Sequence, residues 1–223
     1  MAAYDLEEQE QLSAIKAWWE RYSSLITGVA VAAAAVSVGY QGWQWYQRQQ
    51  AAHASAIYAV VQKAAADKDA KKAKEAAGEL VEKYSRSTHA PMAALLSAKV
   101  QFDTGDLKTA RAQLAWAAEH ARDAELKDLA RLRLAAVMFE EKAYAEALKQ
   151  LEKEPLEPFS VRFADLRGDI YAVQDKREDA KAAYQAALTK LDARIKASAA
   201  DVGVANALRE LIRMKLDALG GAQ

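Results

Sequence analysis

Between Arg21 and Arg48 the chain carries 26 consecutive uncharged residues, and on either side of that stretch charges return at helical spacing. A bilayer core about 30 Å thick needs about 20 helical residues, which 23–42 supply. Trp18, Trp19 and Tyr22 precede the stretch and Tyr40, Trp43, Trp45 and Tyr46 close it, so aromatic rings stand at both headgroup levels. The pattern predicts a transmembrane helix over 23–46. Before it, Leu12, Ile15 and Trp19 recur at i, i+3 and i+7, predicting a short amphipathic helix that lies along the interface before the chain turns inward. This 1–22 leader is acidic (Asp5, Glu7, Glu8, Glu10 and Glu20 against Lys16 and Arg21), the opposite of the basic n-region of a cleaved export signal.

The span is built mostly of alanine and glycine rather than leucine. Ser24, Gly28 and Ala32 share one face at four-residue spacing, and Ala35 and Gly39 share a neighbouring one. Small residues so spaced let a second helix approach closely, so these faces are the expected packing surface for a partner helix in the membrane.

From 47 to 223 the apolar positions keep a helical period, and the segment repeats itself. Three stretches align: "AALLSAKVQFDTGDLKTARAQLAWAAE", "RLRLAAVMFEEKAYAEALKQLEKE" and "ADLRGDIYAVQDKREDAKAAYQAAL". Each holds a helix with a small residue at one place (Ala98, Ala135, Gly168), a polar turn, and a second helix opening on alanine (Ala110, Ala147, Ala180). A fainter first copy at 57–84 is read with Ala64 and Ala76 in those roles. A period near 34 with small residues where two helices meet is a tetratricopeptide-like pattern of about four repeats. Pro91 suits the start of the second repeat, "EPLEP" separates the third from the fourth, and after the connector "ASAADVGVAN" a last helix, "ALRELIRMKLDAL", is expected to cap the array and end at Gly220–Gly221. The fold class is therefore all-α: one transmembrane helix followed by a helical repeat solenoid with a C-terminal capping helix.

The first helices of stacked repeats line a concave face. In this register it carries Met92, Leu95 and Phe102, then Leu129, Leu132 and Phe139, then the polar Arg162, Asp165 and Asp169. An apolar groove with a charged end suits a peptide. The same positions are where neighbouring repeats or the last helix would pack, and the register leaves both readings open.

Composition narrows the chemistry. Lys plus Arg equals Asp plus Glu at 31 each, so no basic excess points to nucleic acid. Cysteine is absent, and His53, His89 and His120 lack metal-ligand spacing. No catalytic triad, phosphate loop or metal motif appears, carboxylates alternate with lysine and arginine as on solvated helix faces, and no enzyme activity, cofactor or small-molecule substrate is expected. Protein partners are. Basic residues beside the span nearly tie, Lys16 and Arg21 before it and Arg48 and Lys63 after it, and leave its orientation open.

The leader "YDLEEQEQLSAIKAWWERY", the Ala/Gly-rich span, the degenerate repeats, "ADLRGDIY" in the last of them and "MKLDAL" near the end together resemble the YfgM-type ancillary subunits of the bacterial Sec translocon. That resemblance implies a single-pass inner-membrane protein with a cytoplasmic N-terminus and a periplasmic repeat domain. It implies association with translocon subunits, transfer of emerging polypeptides to periplasmic chaperones and a link to envelope stress, without catalytic residues. The alternative is a scaffold or regulator of a cell-envelope complex that meets no unfolded clients.

Overall fold

A computed structural model describes residues 2–197 and 202–220. Among them the regular structure is helical throughout: α1 (Ala2–Ala66), α2 (Ala70–Lys83), α3 (His89–Asp103), α4 (Leu107–His120), α5 (Ala124–Glu140), α6 (Tyr144–Leu151), α7 (Glu157–Val173), α8 (Arg177–Ala197) and α9 (Val202–Gly220). The all-α expectation holds. The chain divides into two compact units, Met1–Ala52 and His53–Gln223.

In the first unit the turn expected after the amphipathic leader does not form, because α1 runs uninterrupted through the leader into the span. The side chains of the acidic residues Asp5, Glu7, Glu8 and Glu10 lie outside the described residues. Over 27–43 every residue is exposed, and this helix is long and apolar enough to cross a membrane. Its polar side chains find partners within the helix. Thr27 Oγ1 donates to Ser23 O at 2.7 Å, Gln41 Nε2 to Ser37 Oγ at 3.2 Å, and Gln44 Nε2 to Tyr40 OH at 2.9 Å. In hydrocarbon such internal partners replace the water these groups lose.

The second unit repeats one turn four times. Lys68, Gly105, Lys142 and Asp175 have φ of 55°, 84°, 60° and 56°, and each closes the first helix of a pair. The next residue's N–H reaches back to the carbonyl five positions earlier: Asp69 to Ala64 at 2.8 Å, Asp106 to Gln101 at 2.8 Å, Ala143 to Met138 at 2.8 Å, and Lys176 to Tyr171 at 3.0 Å. That is the 6→1 bond of a Schellman ending. Asp69 and Asp106 then cap the second helix, accepting from Lys72 N at 2.9 Å and Thr109 N at 3.0 Å.

These turns set the repeat register and correct the first copy. Counted from each left-handed residue, the second-helix alanines are Ala73, Ala110, Ala147 and Ala180, and the first-helix positions are Val61, Ala98, Ala135 and Gly168. Val61 and Ala73 hold the places read for Ala64 and Ala76. The copy is faint because a valine stands where the others have alanine or glycine, so the small-residue signal points three residues away. All eight are buried.

Gly168 has a specific reason to lack a side chain. A Cβ there would run into the ring of Tyr184 across the α7–α8 crossing. Three apolar clusters fill the second unit in sequence order, the first around Val61 and Leu80, the second from α3 to α7 around Leu134, Leu151 and Phe163, the third joining α7 and α8 to α9 through Val161, Leu191 and Ile212. Each helix pair thus buries its apolar face on the next. The connector read at 197–206 lies partly outside the described residues, as does Gly221; from Val202 onward it is already α9.

Candidate functional site

The first helices of repeats two and three, α3 and α5, carry the candidate face. Phe102 is 38% exposed near the end of α3, Met92 is half-buried, and Leu95 is buried in the central cluster. Leu129, Leu132 and Phe139 on α5 are half-buried and pack against the same cluster. Most of the predicted apolar groove is therefore spent on repeat-to-repeat packing, with Phe102 as its exposed ring.

The predicted charged end is occupied by this chain itself. Asp165 is 6% exposed and accepts from Lys215 Nζ on α9 at 2.8 Å, and Asp169 accepts from the same Nζ at 2.9 Å. Tyr184 OH donates to Asp169 Oδ1 at 2.7 Å, and Lys215 stands 5.7 Å above the Tyr184 ring centroid. Asp165 and Asp169 are thus anchors for the last helix, while Arg162 stays exposed. The last-helix face Leu208, Ile212, Leu216 and Leu219 lies on this cluster, and Arg209 pairs with Asp192 at 2.6 Å.

Burial pushes the Asp165 carboxyl up, and Lys215 only partly reverses it. Burial pulls Lys215 down, but its hydrogen bonds to Asp165 and Asp169 outweigh that and hold it above the usual lysine range. Burial and the bond to Asp169 push Tyr184 far above an ordinary phenol, so it stays a donor.

Two arginines of α5, two residues apart, have opposite situations. Arg131 is buried and pairs with Asp128 at 2.8 Å, donates to Gln150 O at 2.8 Å and to Lys153 O at 2.7 Å, and lies 5.2 Å over the Phe163 ring. Asp128 also accepts from Leu156 N at 2.8 Å, so the pair ties down the "EPLEP" connection. Arg133 lines a pocket of about 270 Å³ with Ala98, Phe102, Leu114, Ala136 and Val137. Its guanidinium donates to Leu95 O at 3.4 Å, and among the described residues it meets no carboxylate within ion-pair distance. Burial pulls its pKa below the usual arginine value. Sequence reasoning passed over both arginines; the available signal was a basic residue on either side of Leu132 within an otherwise apolar run.

In the first unit, Ser24, Gly28, Ala32, Ala35 and Gly39 are all exposed, and among the described residues nothing beyond the adjoining helix backbone lies within 4 Å of a Cβ added at Gly28 or Gly39. The small-residue faces are uncovered.

A family profile described as a tetratricopeptide repeat-like domain matches residues 16–221. Among curated proteins, one named as an ancillary SecYEG translocon subunit from Neisseria gonorrhoeae is 31% identical over 223 residues, 98% of this chain and 100% of that protein. The proteins of the same name from Haemophilus influenzae and Escherichia coli are 31% and 29% identical, covering 83% and 95% of this chain and 90% and 96% of their own lengths.

Proposed function

Because the chain belongs to the family of ancillary SecYEG translocon subunits, with a tetratricopeptide repeat-like domain, we propose that it is a non-enzymatic interaction module tethered beside the Sec translocon. It crosses the inner membrane once, with its N-terminus cytoplasmic and its repeat domain, 47–223, periplasmic. The span docks laterally on a translocon subunit, and the α3–α5 face receives emerging polypeptides on their way to periplasmic chaperones.

The observation that carries this reading is the uncovered state of the span. Val29, Val31, Val36 and Val38 are 61–72% exposed, Gly28 and Gly39 have open space around them, and the polar groups between are internally paired. Lipid covers the valines at no cost, while the glycines add no lipid-facing bulk and are useful chiefly where another helix comes close.

Photocrosslinking in intact cells tests it. A photoreactive residue in place of Ala32 is expected to capture a translocon subunit, and one in place of Phe102 to capture secreted chains still in transit. Capture only of folded envelope proteins from Phe102 would overturn the client part in favour of a scaffold, and no translocon adduct from Ala32 would overturn lateral docking.

A further inference from the structure

We infer that the pocket between α3 and α5 binds an extended polypeptide segment in which an aspartate or glutamate side chain neighbours a large apolar one. The carboxylate sits on Arg133, and the apolar side chain lies against Phe102, Leu114 and Val137. This deepens the proposed function and rests on its reading of the α3–α5 face as a polypeptide-binding surface.

Arg131 and Arg133 differ in what offsets their burial. They lie on different faces of α5, Arg131 buried and Arg133 half-buried, and removing a guanidinium from water without compensation is unfavourable in proportion to its burial. Arg131 is compensated by Asp128, by two backbone carbonyls and by a ring face. Arg133 has one long bond, 3.4 Å to Leu95 O, which leaves most of its five donors without a protein partner.

The surrounding charges do not supply the missing partner. Asp103 also lines the pocket, but it is paired with Lys99 at 2.6 Å. Lys99 and Arg133 against Asp103 leave one positive charge over, which a single carboxylate neutralises. Beside it, Phe102 presents an exposed ring at the pocket edge, and the buried Leu114 and Val137 form its apolar floor. About 270 Å³ falls below the roughly 300–1,000 Å³ of small-ligand pockets and suits one or two side chains of a longer chain. Arginine's planar fork further selects a carboxylate over a backbone carbonyl.

The test uses the full chain in detergent micelles and fluorescence anisotropy of two labelled, unstructured peptides capped at both ends. One alternates leucine with aspartate, and the other has asparagine in place of each aspartate. The aspartate peptide is expected to bind about tenfold more tightly, the size of one charge-assisted hydrogen-bonded contact. Arg133→Met should abolish that preference while leaving the asparagine peptide's affinity unchanged, and Phe102→Ala should weaken both. Arg133→Met should unfold at the same temperature as the wild type or higher, so lost binding cannot be put down to misfolding. Equal binding of the two peptides, with both lost in Phe102→Ala, would overturn the carboxylate inference and leave the groove reading standing. Binding of neither peptide to the wild-type chain would overturn both.

Discussion

Three of the four turns inside the helix pairs place a side chain where glycine is preferred. Lys68, Lys142 and Asp175 have positive φ, whereas Gly105 takes the same position without a Cβ. The left-handed conformation costs an L-residue about 1 kcal/mol or more, part of which glycine gives back through its larger unfolded entropy. Lys142→Gly should therefore stabilise the chain by about 0.5 kcal/mol, and Gly105→Ala should destabilise it by about 1 kcal/mol. Thermal unfolding followed by circular dichroism reads both, and a Lys142→Gly protein that melts earlier would contradict the strain assigned to that turn. Gly168 has a different cause. Its Cβ would meet the Tyr184 ring, and that ring is 3% exposed and tethered to Asp169, so it cannot swing aside. Gly168→Ala should cost about 1–3 kcal/mol, as overpacking does, and most of that should vanish when Tyr184→Leu removes the obstruction. At this scale small residues were legible, because alanine or glycine recurring at a fixed place in a repeat marks where two helices cross closely. Arg131 and Arg133 were not, because a sequence shows an arginine on a helix but not the connection or pocket that the helix face meets.

The element that reshapes the candidate site is α9. Its apolar stripe and capping role could be read from period alone, yet which surface it covers could not, and so Asp165 and Asp169 looked available to a partner. Lys215 takes both. Lys215→Ala should strand a buried carboxylate and destabilise the α7–α9 assembly by about 1–3 kcal/mol, the lower end reflecting a lysine that is partly solvated. Asp165→Ala in the same chain should recover part of the loss, because the stranded charge is then gone. The pH dependence has a definite sign. The folded value of Lys215 is raised above 10.5, so the stability it contributes is fully present below that pH and is lost as pH rises through the folded value. Asp165 is raised from 3.8, so its ionisation costs some stability as pH climbs from there through its folded value. Between the two windows α9 should stay docked without pH dependence, which hydrogen exchange of the α9 amides at neutral and mildly alkaline pH would check. The same element scale explains the misread first repeat. Turn geometry, rather than residue size, sets its register, and Lys68 gives no sequence hint that it adopts the conformation of Gly105.

For the whole molecule, the proposed function divides labour between a span that sets the location and a repeat domain that meets polypeptides, so on that proposal the two should fail separately. Replacing Gly28 and Gly39 with leucine is the sharpest way to separate them. Beyond the adjoining helix backbone, no described residue lies within 4 Å of a Cβ added at either position, so the substitutions start into open space. Leucine is also a better helix former than glycine by about 1 kcal/mol and inserts more favourably into hydrocarbon, so a weaker or uninserted span is not an outcome of the change. What leucine does alter is how near a second helix can come, because two bulky side chains replace two open positions on the small-residue faces. Gly28→Leu with Gly39→Leu should therefore lower recovery of translocon subunits with the tagged full-length chain severalfold. Ala30→Leu with Ala33→Leu, which adds bulk at exposed positions on the opposite side of the helix, should leave recovery unchanged. Peptide binding by the α3–α5 pocket should be the same in the wild type and both variants. Unaltered recovery in the glycine variant would place the docking surface outside the small-residue faces, and a peptide-binding defect in that variant would show that the two units are energetically coupled rather than independent.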